Sequence, residues 1–276
     1  MKLCAGNYYI DKYGKKAGAA RMAELGYGYL DFDLSDTENE YYAARDEDFI
    51  VKLLAMKKAL SEGGVSVYLV KGPTAYTGDD LSRAEAFEKM TKAMVAARHL
   101  GAKYMTVPTL LPSDGVTESR LIEINAEYFS ALAIVAEKLG VTICLENAGK
   151  ECGPLATPEG TLKLARKISH TSLKLSLDTA YAAECGASVW DAISEAEDLL
   201  AVVHAADTDG STGSKLPLYS GGIDWSLVAE ALFGQLHTDA ISITVSPILP
   251  GADSEDEDKT KRLEAEAASY ARLLAM

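Results

Sequence analysis

The side chains best able to do chemistry sit at the ends of three successive apolar runs in the second half of the chain. TICLENAG places Glu146 and Asn147 after its apolar residues, LKLSLDTAY places Asp178, and LLAVVHAADTDG places His204 and then Asp207. Two carboxylates and an imidazole brought to one concave site offer oxygen and nitrogen donors that suit Mg²⁺, Mn²⁺, Co²⁺ or Zn²⁺. Without a cation the carboxylates repel, and at least one carboxyl is pushed up. A local reading competes, in which Asp178 caps the following turn and His204 hydrogen-bonds a neighbouring carbonyl. A third needs no metal. Lys71 follows an apolar run in YLVKGP and Lys215 lies behind the His204 run; either ammonium can neutralise the acidic cluster, leaving Glu146 and Asp178 to bind a polyol as acceptors.

These ends converge only if the runs lie side by side as parallel strands. Eight β-rich runs alternate with eight amphipathic stretches, the pattern of βα units feeding a parallel sheet. The strands are expected at 2–6, 27–33, 65–70, 104–108, 141–145, 173–177, 201–204 and 240–245. The helices are expected at 15–25, 47–61, 82–100, 120–139, 158–168, 189–197, 225–235 and 259–274. Local signals fix several boundaries: Thr157 before Pro158 as an N-cap, Asp224 before Trp225 as another, and Gly101 and Gly140 where a left-handed residue ends a helix. The turn after the first strand, AGNYYIDKYGKKAGA, lacks the GxGxxG of a nucleotide-binding open sheet. A single (β/α)8 TIM barrel over residues 1–276, with no nucleotide cofactor, is therefore expected, its chemistry at the C-terminal ends of the strands.

Composition narrows the partners. The 276 residues carry a formal charge of −14, and 48% are hydrophobic. Net repulsion disfavours nucleic acid, and the basic stretch Lys52 to Lys58 reads as a solvated helix face. No run is long and apolar enough to span a bilayer, and no secretory leader is seen. Cys4, Cys144, Cys152 and Cys185 lack metal-finger or CxxC spacing. A cytoplasmic protein acting on a small molecule is expected. The acidic connection 246–258 is read as a solvated entry to the last helix.

The segments ICLENAG, SLDTAYAAECG and VVHAADTDG, with KLPLYSGGIDW behind them, together resemble the xylose isomerase-like superfamily of sugar-phosphate isomerases and epimerases, which includes inosose dehydratases and the endonuclease IV group. The resemblance spans nearly the whole chain. It implies one divalent ion held by acids from strands five, six and eight and a histidine from strand seven. The first three fall on Glu146, Asp178 and His204. The fourth has no glutamate in DAISITVSP, where Thr244 or Ser246 stands in its place. Tyr181 replaces a frequent histidine, and Gly213 and Lys215 replace the Asp-x-His of the endonuclease group, which argues against trinuclear zinc chemistry. Relatives of this kind also form homo-oligomers.

Two functions follow as expectations. In one, a metal-assisted isomerase, epimerase or inosose dehydratase-like lyase stabilises an enediolate while Glu146 moves the proton with Tyr181, Asp207 or Lys215. In the other, a barrel that has lost the strand-eight carboxylate binds a sugar-like metabolite without turnover. Tyr8, Lys71, Asn147, Tyr219, Thr244 and Ser246 are the expected substrate contacts in either case, whereas Trp190 and Trp225, at helix starts, are expected against the outer layer.

Overall fold

The apolar runs become strands because each is buried on both faces, inside against the barrel's own filling and outside against helices. In the computed structural model, which describes residues 2–235, 239–243, 268, 272 and 273, the strands are β1 (Lys2–Ala5), β2 (Tyr29–Asp33), β3 (Ser66–Lys71), β4 (Tyr104–Pro108), β5 (Thr142–Glu146), β6 (Leu173–Asp178), β7 (Leu200–Ala205) and β8 (Ala240–Ile243). They run parallel in sequential order, and β1 pairs with β8 to close the barrel. The starts of all eight strands and the ends of the first seven fall within two residues of the expected ones.

The seven longer helices expected before the last strand are present, from Lys15–Glu24 through Asp80–Leu100 and Glu118–Leu139 to Trp225–Glu230, which continues into a wider turn over Ala231–Gln235. The eighth, expected at 259–274, lies almost wholly outside the described residues, as does the connection 246–258. Short helices at Tyr8–Tyr13, Glu40–Ala43 and Thr179–Glu184 are additions to the expected set. Each is about a turn or two long, too short to show a periodic apolar stripe.

The boundary signals act as their chemistry requires. The Thr157 hydroxyl accepts from Gly160 N at 3.0 Å, and Asp224 accepts from Ser226 N and Leu227 N at 3.0 and 3.3 Å. Gly101 and Gly140 take left-handed conformations at φ 87° and 68° after their helices. Lys52 pairs with Glu40 at 2.8 Å on the exposed face of the helix Asp46–Glu62. All four cysteines are free thiols. No helix among the described residues is long and apolar enough to cross a membrane.

Packing divides into two layers. The larger core lies between strands and outer helices and takes the outward strand residues, such as Leu30, Val70, Val107, Leu145, Leu177 and Val203. A smaller cluster fills the barrel itself: Cys4, Leu69, Tyr104, Cys144, Ala201, Val202 and Ala240, with Tyr29 and Tyr68 against it. This apolar plug forms the floor on which the polar side chains of the next inward level stand.

Candidate active site at the barrel mouth

Two one-residue bulges decide which side chains reach that level. Between β2 and β3 the register passes from Leu30↔Val67 to Asp31↔Leu69, so β3 carries one extra residue, Tyr68. Between β6 and β7 it passes from Leu175↔Leu200 to Ser176↔Val202, so β7 carries Ala201 as an extra. An extra residue inverts the alternation beyond it. Tyr68 with Leu69, and Ala201 with Val202, accordingly sit as neighbours in sequence within the same inner cluster. The consequence lies two residues further on: Lys71, level with Asp33, and His204, level with Asp178, turn inward, where an unbroken alternation would have sent both out to the helices.

His204 is the centre of what results. Its Nε2 lies 2.9 Å from Asp31 Oδ2, and its Nδ1 meets Glu146 Oε1. A neutral imidazole has one N–H, so two carboxylate contacts are best satisfied by the imidazolium. Burial opposes that charge, but Glu146 and Asp31 outweigh it and raise His204 to about 10. Burial likewise pushes Glu146 up, and the charge on His204, with Lys71 and Lys215 behind it, overcomes this and brings the carboxyl down to about 2. Ser176 Oγ adds a 3.3 Å contact to Glu146, and Ser242 Oγ on β8 donates to Asp31 Oδ2 at 2.9 Å.

Asp178 belongs to a different pair. Its Oδ2 holds the Lys215 ammonium, and its Oδ1 accepts from Tyr181 N at 3.0 Å, capping the short helix that follows. The local reading of Asp178 as a cap and the reading of Lys215 as its counter-ion are thus both present in the structure, one on each oxygen. Lys215 also stands 4.3 Å over the ring of Tyr181. Burial lowers its affinity for the proton, yet Asp178 more than compensates and the amine is raised. Lys71 shows the same balance: burial opposes its charge, and Glu146, Asp33, Asp31 and Asp178 together raise it.

Four expected site residues have partners within the fold. Asn147 commits both ends of its amide to the backbone of Asp178, donating to its carbonyl at 2.9 Å and accepting from its N–H at 2.7 Å. It clasps β5 to β6. Asp207 is fully buried: Oδ1 accepts from Thr208 N and Ile223 N at 2.8 and 3.1 Å, and Oδ2 from Trp225 Nε1 at 2.9 Å. It ties the loop after β7 to the start of the next helix and does not meet Glu146. Gly221 permits that fold, since a Cβ there would collide with the Thr208 carbonyl and the Asp207 carboxylate. Tyr8 packs edge-on against Tyr9 and the core, while Tyr219 lies 6.0 Å from Trp225 with Arg272 over its ring. Thr244 and Ser246 lie outside the described residues.

Asp31 and Thr106 were not anticipated. Asp31 is 7% exposed and its Oδ1 has no hydrogen-bond partner among the described residues; the same holds for Thr106 Oγ1 on β4, which is fully buried and level with Lys71. The sequence signal for Asp31 is YLDFD, an acid inside an apolar strand. A groove of about 490 Å³ between outer helices, lined by Arg83, Phe87, Arg120 and Tyr128 among others, has no comparable set of buried ionisable groups.

A closed parallel barrel with its polar side chains gathered at one end defines the class. Residues 19–264 match the family model described as xylose isomerase-like TIM barrel, and the chain belongs to that family. No curated protein matches the chain in sequence. Among solved structures it resembles the IOLI protein with a bound zinc atom (16% identity, TM-score 0.81, covering 100% of this chain and 98% of that one). It also resembles D-psicose 3-epimerase with D-tagatose from Clostridium cellulolyticum H10 (19%, 0.78, 99% and 98%). A third is 3-keto-D-glucoside 4-epimerase from E. coli (16%, 0.75, 100% of both chains). At these identities the likeness is one of fold.

The divalent ion implied by the family can be tested against the donors present. Among the described residues, no group of three or more His, Cys, Asp or Glu side chains is arranged to hold a metal ion. The expected set of Glu146, Asp178 and His204 is divided: the histidine turns both nitrogens to carboxylates, and Asp178 faces Lys215. The residues as arranged do not fit the ion.

Proposed function

We propose that this protein is a sugar isomerase- or epimerase-like enzyme acting on a small polyhydroxylated carbonyl compound at the C-terminal mouth of the barrel. The observation that carries the reading is the chain of three buried side chains, Asp31, His204 and Glu146, in which one imidazole links carboxylates from opposite sides of the barrel. Moving hydrogen at a carbon beside a carbonyl requires a group to remove the proton and a group to return one, on opposite faces when the centre is inverted. Asp31 and Glu146, joined through His204, provide two such groups. The enolate oxygen formed between the two transfers carries negative charge, and the Lys71 ammonium is the cation near it. Thr106 Oγ1 and Asp31 Oδ1 supply unfilled polar positions for hydroxyls. The sugar epimerases among the structures of this fold agree with that substrate class.

The competing reading is a barrel that binds such a compound without turnover. It draws on Glu146, whose carboxyl is held down by its cationic neighbours and is a weak proton acceptor in that state. Incubation with D-fructose, D-tagatose and D-psicose in D2O, followed by NMR, separates the two. Deuterium appearing at the carbon beside the carbonyl, and falling by about 10²–10⁴-fold in Asp31→Asn, supports the enzyme. Saturable binding with no exchange supports the binding protein, and neither result leaves the sugar reading without support.

A further inference from the structure

We propose that Lys215 is a built-in replacement for the divalent cation of this barrel family, so that the mouth holds its acidic side chains together with no metal. The inference rests on taking the mouth as the substrate site, and three observations carry it. The first is position: the Lys215 ammonium sits directly on Asp178 Oδ2, the strand-six carboxylate, with the Tyr181 ring 4.3 Å below it. A cation stacked on a ring face and paired with a carboxylate is held in place and does not swing freely into solvent.

The second is commitment of the donors. His204 has no free ring nitrogen, Glu146 Oε1 is shared between His204 and Ser176, and Asp178 uses one oxygen for Lys215 and the other for the Tyr181 amide. Binding an ion through His204 and Asp178 would require parting His204 from a carboxylate and Asp178 from Lys215 or the Tyr181 amide.

The third is charge. Lys71 and Lys215 bring two ammonium charges among Asp31, Asp33, Glu146 and Asp178. A divalent ion entering beside Asp178 would meet the Lys215 charge at close range, and like charges in a buried site repel strongly. The absence of a strand-eight glutamate from DAISITVSP agrees with this, since a site closed by an ammonium has no use for a fourth metal-binding carboxylate.

Removing the ammonium should therefore create metal affinity where none existed. The probe is Mn²⁺ alone, titrated into the full chain and followed by electron paramagnetic resonance and calorimetry, beside elemental analysis of the purified protein. Wild type is expected to carry no stoichiometric metal and to show no saturable Mn²⁺ site. Lys215→Met, which keeps the length and loses the charge, is expected to bind Mn²⁺ more tightly than wild type by on the order of a hundredfold. Lys215→Arg, which keeps the charge, should behave as wild type, and circular dichroism establishes that each variant is folded. Stoichiometric Mn²⁺ in wild type, displaced by Glu146→Gln, overturns the proposal; so does a folded Lys215→Met that gains no affinity. If Lys215→Met fails to fold, the wild-type titration and elemental analysis decide alone. Sugar binding by wild type is measured separately in the presence of a chelator. Sugar binding that requires added Mn²⁺ overturns the proposal while sparing the functional reading, and metal independence with no sugar binding does the reverse.

Discussion

The two sides of the barrel mouth are built from the same kinds of residue and left in opposite states. On the β5 to β7 side, Glu146 is met by His204 and Ser176, and Asp178 by Lys215 and the Tyr181 amide. On the β2 to β4 side, Asp31 and Thr106 each keep a buried oxygen with no hydrogen-bond partner among the described residues, and Lys71 is held by the field of the surrounding carboxylates. Buried polar atoms are normally satisfied, and an exception needs a cause. The contrast teaches that on one wall each carboxylate is met by a cation and a second donor, whereas the other wall stores unsatisfied polarity that a polyol's hydroxyls can satisfy. His204 is the joint between them, since it touches both.

The largest effect is expected from breaking the ion-paired wall. Glu146→Gln removes the charge opposite His204 while preserving shape, so a buried cation loses a partner. Such losses cost about 3–5 kcal/mol, and urea unfolding should show a drop of that size. A drop within about 0.5 kcal/mol, the range of an ordinary surface change, would mean that the two carboxylates do not hold His204 as described.

The next largest tests the joint by pH. His204 is raised to about 10 in the fold, against about 6.5 for a free imidazole. A raised pKa stabilises the fold fully below the unfolded value and loses that stabilisation as pH climbs through the folded one. The urea midpoint of wild type should thus fall between about pH 6.5 and 10. The groups facing this imidazole are Asp31 from β2 and Glu146 from β5, with Ser176 and Ser242 on those carboxylates and Lys71 and Lys215 nearby. His204→Gln removes the titrating group, and its midpoint should be flatter over that window. Equal slopes in the two proteins would assign the dependence to other groups.

How much of this was legible in the sequence depends on whether a feature is carried by residue type or by register. The eight strands, the order of Glu146, Asp178 and His204 along them, and the caps at Thr157 and Asp224 all follow from local patterns of apolar and capping residues, and the closed barrel contains each of them. The partners did not follow. Which inward position Lys71 and His204 reach depends on Tyr68 and Ala201 being extra residues, and neither is a glycine or proline that would have marked a bulge. Asp31 is hard to read because a strand's interior is ordinarily plain core, although an acid two residues from another acid in YLDFD marks one face of the strand as polar. Asn147 and Asp207 looked like site residues by position, but their hydrogen bonds go to backbone and to Trp225, and sequence gives no means of counting the bonds a side chain has already spent.

The smallest expected effect on stability is also the sharpest test of the unsaturated wall. Thr106→Val replaces a hydroxyl by a methyl of similar size at a fully buried position where Oγ1 has no hydrogen-bond partner among the described residues. Removing a satisfied buried hydroxyl costs about 1 kcal/mol or more, whereas removing an unsatisfied one is neutral or stabilising. The variant should therefore unfold within about 0.5 kcal/mol of wild type or above it. If the oxygen is kept for a ligand, the same change should weaken ketose binding by about tenfold, the worth of one hydrogen bond, measured by calorimetry at constant pH. A stability loss with unaltered binding would mean that the hydroxyl already serves the fold, and the difference between the two walls would then reduce to Asp31 and Lys71.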